Sequence, residues 1–95
     1  MRGGWVYVMT DHPHGTLYIG VTSDLCRRAW EHRGGTVEGF TKRYGLTRLV
    51  HAEFHDDIRT ALARERTLKH WRRAWKVRLI EAGNPDWAAL YDRLA

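Results

Sequence analysis

Two tyrosines near the start of the chain, with an arginine and a histidine behind them, could act on a phosphodiester bond. Tyr7 and Tyr18 lie in successive β-like runs, and Arg28 and His32 stand four residues apart in a helical pattern. The last two would therefore project from one helix face. An arginine fork matches phosphate oxygens, and a histidine exchanges protons near neutral pH. On spacing alone, core tyrosines and an ordinary surface arginine and histidine are the more common interpretation.

Glu65 is a carboxylate in an apolar pattern. The stripe around it repeats at helical spacing through Ile58, Ala61, Leu62 and Leu68. A carboxylate there is costly to bury without a partner, so Glu65 binds a cation or pairs with Lys69 or an arginine, and the spacing leaves both open. A single carboxylate would imply a one-metal site, and oxygen ligands favour Mg²⁺ or Mn²⁺.

The chain is basic, and its charge is uneven. The formal net charge is +5 and the isoelectric point is about 9.9. Residues 59–78, which we call the basic stripe, contain one acid, Glu65, among the cations Arg59, Arg64, Arg66, Lys69, Arg72, Arg73, Lys76 and Arg78. Such a stripe favours nucleic acid as the partner. A solvated helix face is the alternative, and an anionic membrane surface is a weaker one, because no broad apolar face follows the stripe.

Length and composition exclude several classes. With 95 residues the chain is predicted to form one domain over residues 1–95. No run reaches the roughly 18 apolar residues of a membrane span. The single cysteine, Cys26, forms no internal disulfide and fits a reducing compartment, so we expect a cytoplasmic protein without a membrane partner. The tryptophans at positions 30, 71, 75 and 87 are more typical of core or helix-packing residues than of base-stacking surfaces.

The pattern of elements predicts an α/β (α+β) fold with a small, three-stranded, mainly antiparallel sheet flanked by helices. In chain order the predicted elements are a strand at 4–10, a strand at 16–22, a helix at 25–33, a strand at 46–55, a helix that begins after Asp56 or Asp57, a basic helix that ends near Ala82, and a short helix at 87–94. In the third strand, Val50, Ala52 and Phe54 should face one way, and Leu49, His51, Glu53 and His55 the other.

The first two strands should form a hairpin whose register brings the tyrosines together. If the loop covers Asp11 to Thr16, Met9 pairs with Tyr18. Tyr7, Tyr18 and Gly20 then share one face of the sheet, whereas a slip by one residue would separate the tyrosines.

The sequence resembles the GIY-YIG nuclease superfamily, and within it the short stand-alone bacterial branch called UPF0213. The resemblance covers most of the chain. It rests on Trp5-Val6-Tyr7, on residues 16–25 with Tyr18-Ile19-Gly20, on Arg28 and His32, on Ala63-Arg64-Glu65-Arg66, on Lys69-His70-Trp71, and on Asn84-Pro85-Asp86-Trp87. Trp5 and Val6 stand where the family motif has glycine and isoleucine, and the large Trp5 could narrow the mouth of a site.

The resemblance implies a metal-dependent nuclease and a role for each matching residue. By that resemblance, Tyr7 orients or activates the attacking water and Tyr18 supports it. Arg28 stabilises the transition state, and His32 assists proton transfer near Tyr7.

It further implies that Glu65 holds the divalent metal, Mg²⁺ or Mn²⁺, and that Asn84 steadies the site. We expect nucleic acid, DNA more than RNA, to contact the cations Lys42, Arg64, Lys69, Arg72, Arg73 and Lys76. The leading hypothesis is an endonuclease for DNA, including branched or nicked forms. The alternatives are a nucleic-acid-binding module with little or no cleavage, and a protein-interaction scaffold with an exposed patch of Trp71, Trp75 and Trp87.

Overall fold

The protein has a three-stranded antiparallel sheet with helices packed on it. The computed structural model describes residues 3–34 and 43–93. The strands are β1 (Gly4–Thr10), β2 (Leu17–Thr22) and β3 (Arg48–His55), in the order β2-β1-β3. Both pairings are antiparallel, so the predicted fold class is confirmed. Because β1 is the central strand, a side chain at its middle can be enclosed from all sides.

The β1–β2 hairpin has the register expected from its loop. Met9 pairs with Tyr18 and Tyr7 pairs with Gly20. Side chains directly opposite each other in a sheet point to the same face. Tyr7, Tyr18 and Gly20 therefore share one face, as predicted.

Alternation along β1 builds two cores, one on each face of the sheet. Val6 and Val8 belong to a cluster with Leu68 and Ile80 of the second and third helices. Tyr7 and Met9 belong to the other cluster, whose helical members are Leu25 and Ala29 of the first helix. The helix that follows the hairpin therefore covers the tyrosine face, and the later helices cover the opposite face.

A bulge in β3 makes one sequence prediction wrong. Val8 pairs with His51 but Met9 pairs with Leu49, so Val50 is the extra residue. Val50 packs in the Val6–Val8 cluster, whereas Ala52 packs against the Tyr7 cluster. Val50 and Ala52 thus face opposite ways, because a bulge interrupts the two-residue period of the strand.

Aspartates cap the first two helices, and for the second the cap is Asp57 rather than Asp56. The helices are α1 (Leu25–Arg33), α2 (Ile58–His70) and α3 (Arg73–Gly83). Asp24 accepts a hydrogen bond from the Arg27 amide at 3.1 Å, and Asp57 accepts one from the Arg59 amide at 2.9 Å. These carboxylates satisfy amides that have no partner within the helix. No helix in the described ranges combines the length and apolar character that crossing a membrane requires.

The predicted helix at 87–94 is wrong. In the described part of that segment, only Tyr91–Arg93 is helical, as a single 3₁₀ turn. Trp87 has a φ of 57°, which interrupts a right-handed helix. Its side chain is only 1% exposed, and Asn84 Oδ1 accepts a hydrogen bond from the Ala88 amide at 3.0 Å. Burial of the indole and this bond hold the backbone in a turn.

Candidate active site

The Tyr7 hydroxyl lies 3.1 Å from His32 Nε2 in a buried contact. Tyr7 is at the middle of β1, and His32 is in the last turn of α1. Both residues are almost fully buried. The other ring nitrogen, His32 Nδ1, is buried and has no hydrogen-bond partner in the described part of the chain. The phenol and the imidazole are thus joined through one ring nitrogen alone.

Tyr18 and Gly20 complete the tyrosine face. The Tyr18 ring centroid lies 6.2 Å from that of Tyr7 and 5.9 Å from that of His32. A Cβ atom on Gly20 would lie 2.6 Å from Tyr7 Cζ and Oη and 2.9 Å from Tyr18 Cε1. These separations are too short for any side chain, so the glycine at this position allows both tyrosine rings to pack beside it.

Arg28 places positive charge at the open side of this group. Its charge and a hydrogen bond act on the Tyr7 hydroxyl, its Nε lies 3.5 Å from Glu31 Oε1, and its side chain is 39% exposed. A polar pocket of about 270 Å³ beside it is lined by Thr22, Ser23, Asp24, Arg27, Arg28 and Glu31. The guanidinium can therefore meet a ligand in solvent while its charge acts on the buried phenol. Glu31 was missed by the sequence analysis, although its position three residues after Arg28 was a signal for an ion pair.

The Tyr7 hydroxyl is held in its neutral form. Burial raises the pKa of Tyr7 above its ordinary value, and the neighbouring Tyr18 raises it further. Arg28 opposes these effects through its charge and a hydrogen bond, without overcoming them. Near neutral pH, Tyr7 is therefore a hydroxyl that can donate one proton while it accepts another.

His32 is held in its neutral form as well. Burial lowers the pKa of His32 below its ordinary value of 6.5, and the Arg28 charge lowers it further, while Glu31 opposes the shift. A neutral imidazole has one nitrogen that can accept a proton. The Tyr7 hydroxyl can therefore donate a hydrogen bond to His32 Nε2 when the imidazole proton is on Nδ1.

Glu65 lies on α2 and pairs with Lys69. Its Oε1 lies 3.3 Å from Lys69 Nζ, and its side chain is 16% exposed. Lys69 in turn lines a shallow pocket of about 220 Å³ with Tyr18 at the β2 edge. Of the two interpretations that the sequence left open, the ion pair with Lys69 is formed here.

Asn84 is buried away from the tyrosine group. Its Nδ2 donates to the carbonyls of Val50 and Ala88 at 3.0 and 2.9 Å, and its Oδ1 accepts from the Ala88 amide. The side chain therefore links the end of α3 to β3 and to the C-terminal segment. Its contacts are those of a residue that positions the backbone.

Two of the cations predicted to contact nucleic acid, Arg64 and Arg73, form hydrogen bonds within the protein. The Arg64 Nε donates to Glu53 Oε1 at 2.7 Å, and its guanidinium lies 5.2 Å from the Trp71 ring centroid. Arg73 donates to two carbonyls of the β1–β2 loop, each at 2.6 Å. Both cations add to the local positive potential, but each already uses part of its guanidinium within the protein, Arg64 through Nε and Arg73 through Nη2.

Three other members of that predicted set lie around the end of α2 and the start of α3: Lys69, Arg72 and Lys76. Lys69 and Arg72 are exposed, and Lys76 is partly exposed. The Lys76 Nζ donates to the Lys69 carbonyl at 3.3 Å. Lys42 lies outside the described residues. Lys69, Arg72 and Lys76 thus add positive charge around the junction of the two helices.

A polar cluster on β3 was not anticipated. The two Glu53 oxygens lie 2.9 Å from His51 Nε2 and 3.0 Å from His55 Nε2, and Arg64 also donates to this carboxylate. Burial raises the pKa of Glu53, but these three hydrogen bonds outweigh it and lower the pKa to about 2. Alternation along the strand, which puts these residues on one face, was the available signal. The described ranges contain no group of three or more metal-binding side chains that could hold an ion, so the cluster links β3 to α2.

The tryptophans divide into buried and exposed groups. Trp87 is 1% exposed, whereas Trp30 is 72% and Trp75 is 44% exposed. Trp87 is therefore a core residue, as predicted, whereas Trp30 and Trp75 lie outside the core. An exposed patch that includes Trp87 is excluded. Trp5 packs against Phe54 at a ring separation of 5.2 Å on the Tyr7 side of the sheet.

Comparisons with known proteins match most of the chain. The model of the GIY-YIG catalytic domain matches residues 3–78, a range that contains Tyr7, Tyr18, Arg28, His32 and Glu65 but not Asn84. A UPF0213 protein of Haloquadratum walsbyi is 38% identical over 68 residues, which cover 72% of this chain and 76% of that protein. A UPF0213 protein of Syntrophus aciditrophicus is 34% identical over 87 residues, which cover 90% of this chain and 98% of that one.

A solved structure has the same fold. The solution NMR structure of a UPF0213 protein from Bacillus halodurans superposes with a TM-score of 0.55 at 28% identity, and the match covers 86% of each chain. The designation UPF0213 states no reaction, so the chemistry must be argued from the site.

Proposed function

This chain belongs to the GIY-YIG catalytic-domain family, in its UPF0213 branch, and we propose that it is a metal-dependent endonuclease that hydrolyses phosphodiester bonds of DNA. The observation that carries the proposal is the buried 3.1 Å contact between the Tyr7 hydroxyl and His32 Nε2, next to the Arg28 guanidinium. These are the parts that hydrolysis of a phosphodiester requires: a proton acceptor for water and a cation for the phosphate.

The attacking water gives its proton to the Tyr7 oxygen while the Tyr7 proton moves to His32 Nε2. The water oxygen bonds to phosphorus, the bond from phosphorus to the leaving oxygen breaks, and that oxygen takes a proton from solvent. This relay avoids a free phenolate, which the raised pKa of Tyr7 disfavours. It requires the histidine tautomer with its proton on Nδ1, the nitrogen that has no partner among the described residues.

Arg28 faces the negative charge that builds up on the phosphate. Its guanidinium presents several N–H donors in one plane, which match two phosphate oxygens at once. Its partial exposure leaves it accessible to a substrate that approaches from the polar pocket.

Glu65 fits a hard divalent cation. A single carboxylate with substrate phosphate and water oxygens is a common way for a protein to hold Mg²⁺, and Glu65 would leave Lys69 in order to bind it. When bound, Mg²⁺ or Mn²⁺ supplies positive charge to the phosphate and the leaving oxygen. Without a cation, the Glu65–Lys69 pair ties the carboxylate to α2.

We propose DNA rather than RNA as the substrate because of the family resemblance alone. The basic stripe contacts phosphates, which both nucleic acids carry, and branched or nicked DNA of the kind processed in repair is the expected substrate. The exposed Cys26 supports a reducing, cytoplasmic setting. The second candidate function, a nucleic-acid-binding module, is favoured by one observation: Lys69 already neutralises Glu65.

Cleavage of labelled DNA in the presence and absence of metal tests the function. Single-stranded, duplex, nicked, flapped and four-way-junction DNA, with a matched RNA duplex, are incubated with Mg²⁺ or Mn²⁺ and with EDTA. Glu65→Gln should lower metal-dependent cleavage by about a hundredfold or more and leave binding in EDTA intact.

The matched control is Asp56→Ala, because Asp56 is an exposed carboxylate at the start of α2 that does not cap it. Retained cleavage in this control assigns the loss to Glu65. If no substrate is cut although salt-sensitive binding persists, the protein is the binding module.

The pH dependence of the rate follows from the lowered pKa of His32. His32 accepts a proton only in its neutral form, so the single-turnover rate should rise as pH passes upward through a pKa below 6.5 and level off by neutral pH. Burial keeps the Tyr7 pKa high, so no second change from Tyr7 is expected up to about pH 9. Rates from pH 5 to 9 with wild type and His32→Asn measure this. A midpoint above pH 7, or the same midpoint in the variant, would contradict the relay.

A further inference from the structure

A groove at the junction of α2 and α3 is lined by two tryptophans and lies outside the tyrosine site. It has a volume of about 550 Å³ and is lined by Trp71, Trp75, Arg78, Leu79 and Ala82. The two indoles meet edge to face at 6.1 Å with an angle of 86°. Trp71 also packs against the core, whereas Trp75 is 44% exposed. The groove therefore offers an open aromatic surface that the fold itself does not cover.

The groove is surrounded by positive charge. The Arg72 guanidinium carbon lies 5.5 Å from the Trp75 ring centroid, and that of Arg64 lies 5.2 Å from the Trp71 centroid. Arg78 lines the groove itself. No acidic residue occurs from position 66 to position 80. An occupant must accordingly combine a planar apolar group with negative charge.

We infer that this groove binds an unpaired nucleobase, with the flanking phosphates held by Arg72 and Arg78. Indole rings stack on the faces of bases, and arginine planes stack on bases as well as neutralising phosphates. A base inside a duplex has both faces covered by its neighbours, so only a single-stranded or displaced nucleotide can enter. A protein segment would need acidic groups at the same spacing as phosphates to match this rim.

The inference rests on the proposed function only in taking nucleic acid as the partner. It adds a substrate class, because α2 and α3 pack on the sheet face opposite to the Tyr7 cluster. A strand that contacts both sites must pass an edge of the sheet. Substrates with a duplex next to an unpaired segment, such as flaps and gaps, meet this requirement better than continuous duplex.

Binding measured in EDTA tests the groove without reference to cleavage. The full chain and Trp75→Ala are titrated with a fluorescein-labelled 12-nucleotide oligothymidine and with a 12-base-pair duplex, and anisotropy is followed at three salt concentrations. Trp75→Ala should bind the oligothymidine about tenfold or more weakly and the duplex within about twofold of wild type. The slope of affinity against salt should not change, because no phosphate contact is removed.

Two further variants keep the outcome clear. Trp30→Ala removes the other highly exposed tryptophan, 72% exposed and on α1, and should bind both ligands as wild type does. Trp75→Phe keeps a stacking ring and should recover most of the affinity for oligothymidine. Equal losses on the two ligands, unchanged binding of oligothymidine, or the same loss in Trp30→Ala would each overturn the inference. A concentration-dependent dimer that Trp75→Ala abolishes, with oligothymidine binding unchanged, would assign the groove to a second copy of the chain.

Discussion

Replacing Tyr7 by phenylalanine is expected to lower the single-turnover cleavage rate by about 10²- to 10⁴-fold, the usual range for loss of a positioned proton-transfer group. The ring keeps its packing in the centre of β1, so the substitution removes only the hydroxyl. That hydroxyl lies 3.1 Å from His32 Nε2 and is the group that would take the proton of the attacking water while it passes its own proton to the imidazole. Affinity for DNA in EDTA should stay within about twofold of wild type, because the basic stripe is untouched.

The matched control for Tyr7→Phe is Tyr91→Phe. Tyr91 also loses one hydroxyl, which donates to the Thr47 carbonyl, but it lies outside the Tyr7–His32 contact. Tyr7→Phe should unfold at a lower temperature, since a buried group that loses its partner costs about 1–3 kcal/mol, whereas Tyr91→Phe loses an exposed hydrogen bond and should be destabilised less. Only Tyr7→Phe should lose cleavage. If Tyr7→Phe cuts at the wild-type rate, or if Tyr91→Phe is equally impaired, the relay through Tyr7 is wrong.

The tyrosine face could be predicted because it depends on local rules. The loop between β1 and β2 sets the register, and the register alone decides that Tyr7, Tyr18 and Gly20 share a face. The four-residue spacing of Arg28 and His32 puts both on one side of α1. These two side chains can approach Tyr7 only if α1 covers the tyrosine face of the sheet. In the structure α1 does so, with Leu25 and Ala29 in the Tyr7 cluster.

Features that depend on a single backbone irregularity could not be predicted. Nothing in the third strand marks Val50 as the extra residue of a bulge, because its side chain suits either face. The turn at Trp87 likewise replaces a helix because the indole fills a space in the core and Asn84 bonds to Ala88. Both outcomes are decided by packing between distant segments, which a local pattern does not contain.

The exposed tryptophans have the same origin. Trp75 is a large apolar residue of the kind usually found in a core. The side of α3 that faces the sheet is occupied by residues such as Ile80, so the Trp75 indole lies at the surface. At Trp75 the exposed indole also borders the groove with Trp71 and Arg78, and this combination is the basis for the inferred base-binding site. The surroundings of two arginines differ in the same way. The Arg28 guanidinium is partly exposed and can meet a ligand, whereas the Arg64 guanidinium is held by Glu53 and by the Trp71 ring.

Replacing Arg28 by lysine is expected to lower the cleavage rate by about 10²- to 10³-fold, the cost typical of losing a donor aimed at transition-state charge. Lysine keeps the charge but offers a compact ammonium in place of a planar fork. One ammonium cannot contact Glu31, the Tyr7 hydroxyl and two phosphate oxygens at once, whereas the guanidinium has donors for several of them. Because the net charge is unchanged, affinity for DNA in EDTA should change by about twofold or less.

The control for Arg28→Lys is its neighbour on α1. Arg27 lines the same polar pocket and lies 4.0 Å from Glu31, but its side chain is 76% exposed and it does not act on Tyr7. Arg27→Lys should therefore cleave at close to the wild-type rate. Equal loss in the two variants would show that the pocket needs any arginine for binding rather than Arg28 for catalysis, and a wild-type rate for Arg28→Lys would remove Arg28 from the mechanism. A selective loss in Arg28→Lys with unchanged affinity would mean that this guanidinium acts on the transition state, which a site for binding alone does not require.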